Sequence, residues 1–406
     1  MVSKSQGEVL AMVMAGGRGE RLYPLTLERT KPSVPFGGKY RIIDFALSSL
    51  VNSSIYSIYV LVQYKSQSLI EHIRTTWIRG GMLPKHFITM VPPQMRRTKE
   101  WYRGTADSIY QNINLIYDYK PRFMAIFGGD HIYRMNIRDM IDYHVRKKAK
   151  LTVAVIPVNA QDAQQFGIVD VDENMKIKSF REKPALSHKR AVYASMGNYI
   201  FDTDFLVEML NEDAQKEGSH DFGKDIIPSL VHRKANVVAY DFTANRIPSL
   251  KRYESKWYWK DVGTISSYWE ANMDLLGTKP KLDLDNQDWP VYASNLNCPP
   301  AFTFSSAIDN SLVCEGARIH GSRIKNSILG RGITIEEGCN IEDSIILDFC
   351  RLERGCSLKH TIVDRFNIIP ANTRIGYNKE IDSRSFYLDS SGIVVVKRGA
   401  RKAFYF

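Results

Sequence analysis

VLAMVMAGGRGERLYPLTLERTKP, residues 9–32, opens with an apolar run from Val9 to Ala15 that no polar residue interrupts. Such a run reads as a strand buried on both faces, the kind found inside a parallel sheet. Gly16, Gly17 and Gly19 follow, interleaved with or trailed by Arg18, Arg21, Arg29 and Lys31. Glycine lets backbone N–H groups approach an anion closely and adopt positive φ. A buried strand that opens into a glycine-rich, cation-studded turn therefore points to phosphate. An ordinary strand-to-helix turn stays open as the plainer alternative, because a lone glycine loop is a weak signal. The stretch has neither the Gly-Lys-Ser/Thr of a Walker A loop nor a G-x-G-x-x-G pattern.

Outward from this turn, strand and helix patterns alternate. Tyr40 to Asn52 has helical apolar spacing, Ile55 to Val62 reads as a second buried strand, and Ser66 starts a helix closed by Gly80-Gly81. This order predicts a parallel sheet covered on both faces. Met90 to Gly104 is irregular, mixing prolines, cations and adjacent aromatics, and reads as a surface loop that carries function. Thr105 caps a helix, and Phe123 to Phe127 is a strand that runs into Gly128-Gly129-Asp130-His131. Further strands are predicted over Leu151–Val158 and Tyr193–Phe201, with a hairpin over Gly167–Phe180 between them. Ligands gather at the carboxyl ends of strands in open α/β sheets. Gln63, Asp130 and the glycine turn all fall at such ends.

Residues 280–300 are rich in proline, Asp and Asn and read as a linker, giving a first domain over 1–280 and a second over 301–406. In the second, apolar residues recur at Val313, Ile319, Ile324, Leu329, Ile335, Ile341, Ile346, Leu352, Leu358, Val363, Ile369 and Ile375, every gap being five or six residues. That period fits neither a helix nor strand alternation. It is the hexapeptide pattern of a parallel β-helix, in which each rung buries its apolar residue on the next.

A chain of 406 residues, 44% hydrophobic and 24% charged, is an ordinary globular composition with room for two cores. No run of 18 apolar residues is present and MVSKSQGEV lacks the apolar region of a signal peptide, so a cytoplasmic protein with no membrane segment is expected. The odd set Cys298, Cys314, Cys339, Cys350 and Cys356 contains no CxxC pair and reads as free thiols. A net charge of +11 suggests anionic partners. The cations are spread along the chain, which favours phosphorylated metabolites over nucleic acid. Asp130 and Asp261 could share a Mg²⁺ if both lie at one sheet edge, although either alone could equally cap a helix or close a turn. No Ser/His/Asp or Cys/His set stands out. The expected chemistry is direct displacement at phosphorus, promoted by positioning and charge neutralisation.

AGGRGERLYPLT with Lys31-Pro32 is similar to the signature of the sugar-nucleotide pyrophosphorylases. FGGKYRIIDF (36–45), WYRGTADSIYQN (101–112), GGDHIYRM (128–135), REKP (181–184), SMGNYIF (195–201), HDFGKDIIP (220–228) and YWKDVGT (258–264) narrow the resemblance to the bacterial ADP-glucose pyrophosphorylase family. The resemblance implies an α/β Rossmann-like nucleotidyltransferase domain followed by a left-handed parallel β-helix domain. It implies transfer of the AMP moiety of ATP to α-D-glucose 1-phosphate, giving ADP-glucose and pyrophosphate for glycogen biosynthesis, with Mg²⁺ and no covalent intermediate. Carried over by motif, Arg21, Lys31 and Asp130 are catalytic, and Gly16, Gly17, Gly19, Gly104 and Thr105 bind the nucleotide. Tyr102, Gly167, Glu182, Lys183 and Ser195 bind glucose 1-phosphate, and Asp130 and Asp261 hold the metal. A homotetramer and small anionic allosteric effectors are also implied.

The chain departs from the family in places. Gly128-Gly129-Asp130 stands where Ala-Gly-Asp is usual, and the carboxylate is kept. Glu28 replaces a lysine that in enteric members takes part in binding a sugar-bisphosphate activator, and Pro35 and Asp118 replace two AMP-site residues. Met95 replaces a glutamine in a loop one residue shorter than theirs. The reaction carries over by these motifs, whereas the effector identities do not. A pyrophosphorylase for another nucleoside triphosphate, and a catalytically inactive regulatory subunit, are the competing readings. The second is disfavoured because Arg21, Lys31, Asp130 and Asp261 are all present.

Overall fold

The computed structural model describes residues 8–77, 85–94, 100–159, 163–184 and 191–401. Gly80-Gly81, Met95 and the aromatic end Phe404-Tyr405-Phe406 lie outside them.

The apolar run at the start forms the strand Val9–Met14, almost wholly buried as its composition requires. It pairs in parallel with Ser57–Leu61 on one side and Phe123–Gly128 on the other. Phe87–Val91 adds a fourth parallel strand beyond Ser57–Leu61. The helix Ile42–Asn52 covers one face, and Thr105–Tyr110 and Ile113–Tyr119 pack on the other.

Beyond Phe123–Gly128 the sheet is mixed. The eleven-residue strand Val192–Asp202 runs antiparallel to Phe123–Gly128, Leu151–Val158 and Gly167–Val171. The parallel expectation therefore holds for these four strands, whereas the rest of the sheet is mixed, with Val237–Asp241 parallel to Leu151–Val158. A buried apolar strand carries no local mark of its direction, which is set by partners far away in sequence. Strand Val192–Asp202 also divides the sheet. Its early residues Tyr193 and Ala194 pair with Gly167–Val171, and Tyr199–Asp202 pair with Phe123–Gly128. Between them the register shifts at Ser195–Tyr199, and Gly197 takes φ +71°. The two flanking strands, Gly167–Val171 and Phe123–Gly128, thus pair with different halves of Val192–Asp202.

Three local boundaries also differ from expectation. Tyr40–Arg41 is a short strand paired with Pro35–Phe36, so the helix begins at Ile42. The helix predicted from Thr105 breaks at Gln111–Asn112. Phe87–Val91, which starts before the irregular loop, is a strand the sequence pattern did not mark.

From Phe302 to Ile375, strands of two or three residues stack into three parallel sheets, the three sides of a β-helix. Ile319, Ile335, Leu352 and Ile369 are in register on one side. Ile324, Ile341, Leu358 and Ile375 align on the second, and Val313, Leu329, Ile346 and Val363 on the third. The five-to-six-residue period is thus one residue per side per coil. Corners turn through left-handed residues, among them Gly316 and Gly332 at φ +77° and +60°. Another corner ladder, Asn310, Asn326 and Asp343, is joined by side-chain hydrogen bonds of 2.8 and 3.2 Å. Val394–Val396 returns to extend the third side.

One apolar cluster joins the two halves, combining Leu22, Phe36, Phe45 and Ile265 with Ile328, Ile345, Ile362 and Val395. Beside it lies a sealed group of charges. Arg29 pairs with Asp364, both side chains 1% exposed. Arg331 pairs with Asp348 at 3.2 Å, and buried Arg41 and half-buried Arg365 complete the group. Burial alone would raise the Asp348 carboxyl, but Arg365, Arg331 and Arg41 outweigh it and hold it below the usual carboxylate range. The segment 281–300 has no regular element and lies against the first half, where Tyr292 donates its backbone N–H to Ser48 Oγ at 2.9 Å.

Candidate active site

Register alone brings the first parts of the site together. Met14 stands opposite Leu61 in one neighbouring strand and Gly128 in the other. The chain therefore leaves all three strands at one edge, where Gly16–Gly17, Gln63 and Asp130 emerge. A cleft of about 790 Å³ opens there and is lined by all fourteen residues proposed from sequence as catalytic, binding or metal-holding. That volume is within the range of small-molecule sites and near its upper end.

The glycines serve different needs. A Cβ at Gly17 would meet nothing within 4 Å, so its backbone is open to the cleft and free to approach a ligand. Gly19 sits at φ +63° with its Cβ position 3.0 Å from Lys31 Cβ, so it is needed for the turn itself and for the close passage of the lysine. At Gly104 a Cβ would fall 2.1 Å from the Ser219 carbonyl oxygen, so packing against the 219–220 backbone demands glycine there.

Asp130 follows the end of strand Phe123–Gly128. Asp261 reaches it through a short antiparallel ribbon in which Trp259, Lys260 and Asp261 pair with Tyr133, Ile132 and His131. Lys31 lies between the two carboxylates. Its Nζ is 3.1 Å from Asp130 Oδ2 and donates a second, shorter hydrogen bond to Asp261 Oδ1, with the lysine side chain 7% exposed. Arg21 reaches Asp261 Oδ2 at 3.5 Å from a more exposed position. Burial would lower the Lys31 ammonium, but Asp130 and Asp261 outweigh it and raise its pKa above the ordinary value. Burial would likewise raise the Asp130 carboxyl, whereas Lys31 and His131 hold it well below the carboxylate range. Both partners are charged at neutral pH.

Asp130, His131 and Asp261 offer ligand atoms within 4.8 Å of one another. His131 Nε2 lies 3.8 Å from Asp130 and 3.9 Å from Asp261, and its ring packs edge-on against Trp259. Two carboxylates converging from separate elements fit a hard divalent cation that also binds phosphate oxygens.

At the other end of the cleft, the Glu182 carboxylate lies between Gly167 and Gly223, with a Cβ at either position 2.9 Å from Oε2. The two glycines make its pocket. Burial raises the Glu182 pKa despite Lys183. Lys183 Nζ is 3.8 Å from Glu182 Oε1 and 60% exposed, so its ammonium is only loosely held. Ser195 lies at the register shift, where its Oγ accepts from Gly197 N at 3.3 Å. Tyr102 is fixed by Gln63, whose amide accepts from Tyr102 N and donates to Tyr102 O, and its hydroxyl accepts from Asn112. Thr105 donates to Asp221 at 2.8 Å and accepts from Phe222 N, tying the first helix turn to the 220–226 segment.

His131 and Asp221 line the cleft but were not picked as site residues from sequence. Both stand inside quoted motifs, GGDHIYRM and HDFGKDIIP. What the sequence lacked was the long-range pairing that turns their side chains toward the others.

Residues 10–278 match the nucleotidyl transferase family model, and residues 301–396 match the GlmU-like C-terminal hexapeptide model. Glucose-1-phosphate adenylyltransferase of Thermodesulfovibrio yellowstonii is 49% identical over 399 residues, covering 97% of each chain. The chain belongs to the glucose-1-phosphate adenylyltransferase family. The enzyme of that name from Thermus thermophilus is 47% identical, covering 97% of this chain and 99% of its own. The one from Aliivibrio fischeri strain MJ11 is 46% identical, covering 97% and 98%. Members of the glucose-1-phosphate adenylyltransferase family are nucleotidyltransferases, and the hexapeptide match agrees with a left-handed β-helix for the three-sided coil.

Proposed function

We propose that this chain transfers the AMP moiety of ATP to α-D-glucose 1-phosphate, releasing pyrophosphate and forming ADP-glucose for glycogen biosynthesis. The observation that carries the reading is the convergence of Arg21, Lys31, Asp130 and Asp261 beside an open glycine turn, with Glu182 and Lys183 across the same cleft. A triphosphate along Gly16, Gly17 and Gly19 places its leaving end near Arg21 and Lys31. Gly104 and Thr105 form the nucleotide's other wall. Tyr102, Gly167, Glu182 and Ser195 enclose the sugar, and Lys183 meets its phosphate. A phosphate oxygen of the sugar phosphate then attacks the α-phosphorus in line, the bond to the bridging oxygen breaks, and pyrophosphate leaves. Asp130 and Asp261 would hold Mg²⁺, which neutralises charge on the reacting phosphates when bound. The residues supply position and charge, and no nucleophilic side chain is needed.

The test is to run the reaction with ATP of defined chirality at a thio-substituted α-phosphorus. Inversion in the ADP-glucose product is expected for a single displacement. Retention would require a covalent enzyme intermediate and overturn the mechanism.

The rest of the reading follows the family. Small anionic allosteric effectors belong to it, in keeping with the net charge of +11. Glu28 pairs with Arg398 at 3.1 Å, so a sugar bisphosphate is expected to activate weakly. Exposed Phe302, Phe304 and Ile368 on one side of the β-helix suit subunit contact in a homotetramer. No described helix is long and apolar enough to cross a membrane, and a cytoplasmic site of action is the one we assign.

A further inference from the structure

Lys31 poses a question that its part in leaving-group stabilisation does not answer. Its ammonium is taken up by carboxylates. It makes hydrogen bonds to one oxygen from each of the two carboxylates proposed as metal ligands. The lysine side chain is 7% exposed and that of Asp261 is 9% exposed, so water screens this pair poorly, while Asp130 at 39% opens on the cleft. A divalent ion held by Asp130 and Asp261 would compete with the ammonium for the same two carboxylates. It would also stand against a buried ammonium whose two carboxylate partners among the described residues are Asp130 and Asp261.

We propose that Lys31 is a resident counter-ion that occupies the metal position in the free enzyme, so that divalent cation and nucleotide bind with strong mutual dependence. The inference rests on the site reading above. An ion entering alone would have to displace these charge-assisted hydrogen bonds or stand as a dication beside the ammonium that makes them. When a triphosphate lies along Gly16–Gly19, it offers Lys31 a replacement partner within reach, because Lys31 Cβ already sits 3.0 Å from the Gly19 Cβ position. The lysine then moves from carboxylate to phosphate, and the carboxylates are released to the ion. Linkage makes the effect reciprocal: the ion promotes nucleotide binding by the same factor. The same exchange carries Lys31 from a holding position to the one in which it neutralises departing pyrophosphate. Arg21 cannot substitute in the resting state, since it touches only Asp261, at 3.5 Å, and its side chain is 56% exposed.

The test is direct binding of Mn²⁺ by electron paramagnetic resonance to the full-length chain, with and without a non-hydrolysable ATP analogue. Wild type should bind Mn²⁺ weakly alone and about 10- to 100-fold more tightly with the analogue, the span of ordinary coupling energies. Lys31→Met should bind Mn²⁺ alone at least ~10-fold more tightly than wild type and lose most of the analogue's enhancement. Arg21→Gln, which removes the same charge from a neighbouring site, should leave the metal-alone affinity within about threefold of wild type, because an exposed ion pair contributes little. Equal Mn²⁺ affinity in wild type and Lys31→Met would overturn the proposal while leaving the metal site standing. Absence of Mn²⁺ binding to wild type even with the analogue would remove the site itself, and the proposal with it. Because the analogue itself ligates Mn²⁺, the metal-alone comparison carries the test, and Lys31→Gln repeats it if Lys31→Met folds poorly.

Discussion

The molecule holds two clusters of opposite charges, and they are built to different ends. Between the halves, Arg29 with Asp364 and Arg331 with Asp348 are sealed, with side chains at 1–2% exposure. In the cleft, Lys31 is enclosed by its partners, but Asp130 remains 39% exposed and Lys183 stands 60% exposed beside Glu182. Sealed charges cannot change partners without unfolding their surroundings. Charges that open on a cleft can exchange a carboxylate for a phosphate. Breaking the first cluster should therefore be read out in stability, and breaking the second in turnover.

The largest expected effect is in the sealed cluster. Arg29→Met leaves the Asp364 carboxylate buried without its partner, and loss of one partner of a buried pair typically costs about 3–5 kcal/mol. Urea unfolding should show that loss; a change below about 1 kcal/mol would mean that water or Arg365 already compensates Asp364. Next comes Asp130→Asn in the cleft. It should lower kcat at least ~10²-fold, a few kcal/mol of transition-state charge stabilisation, with a much smaller loss of stability than Arg29→Met. Near-normal turnover would remove Asp130 from the reaction, and a large fall in stability would erase the contrast between the clusters. Smaller still, Lys183→Gln should raise KM for glucose 1-phosphate about tenfold or more while moving KM for ATP little, as loss of one charge-assisted contact to one substrate requires. Equal effects on both substrates would refute its assignment to the sugar phosphate.

The contrast also explains what could be read from sequence. The cleft's ligating groups were legible because each sits at the end of a buried strand or inside a short motif, as with Gly16–Gly19, Asp130 and Glu182-Lys183. The β-helix was legible because its period repeats: Ile324, Ile341, Leu358 and Ile375 announce one side of the coil without any partner being known. The sealed cluster was not. Arg29 and Asp364 are 335 residues apart, and nothing near either one marks it as buried. The same limit hid the ribbon joining His131–Tyr133 to Trp259–Asp261 and the antiparallel course of Val192–Asp202. Strand direction and pairing are set by distant partners, while burial and turn chemistry are written locally. By sequence Arg29 is one more cation of the phosphate turn, but its side chain faces the β-helix, donating to Leu25 O and Asp364.

The most direct test of the account is the initial rate of pyrophosphate release with ATP, UTP, dTTP, GTP and CTP, each paired with glucose 1-phosphate and with other sugar phosphates in the presence of Mg²⁺. ATP with glucose 1-phosphate should exceed every other pair in kcat/KM by at least about tenfold, and ADP-glucose should accumulate in equal amount to pyrophosphate. Faster release with another nucleoside triphosphate, or no release with any pair, would contradict it.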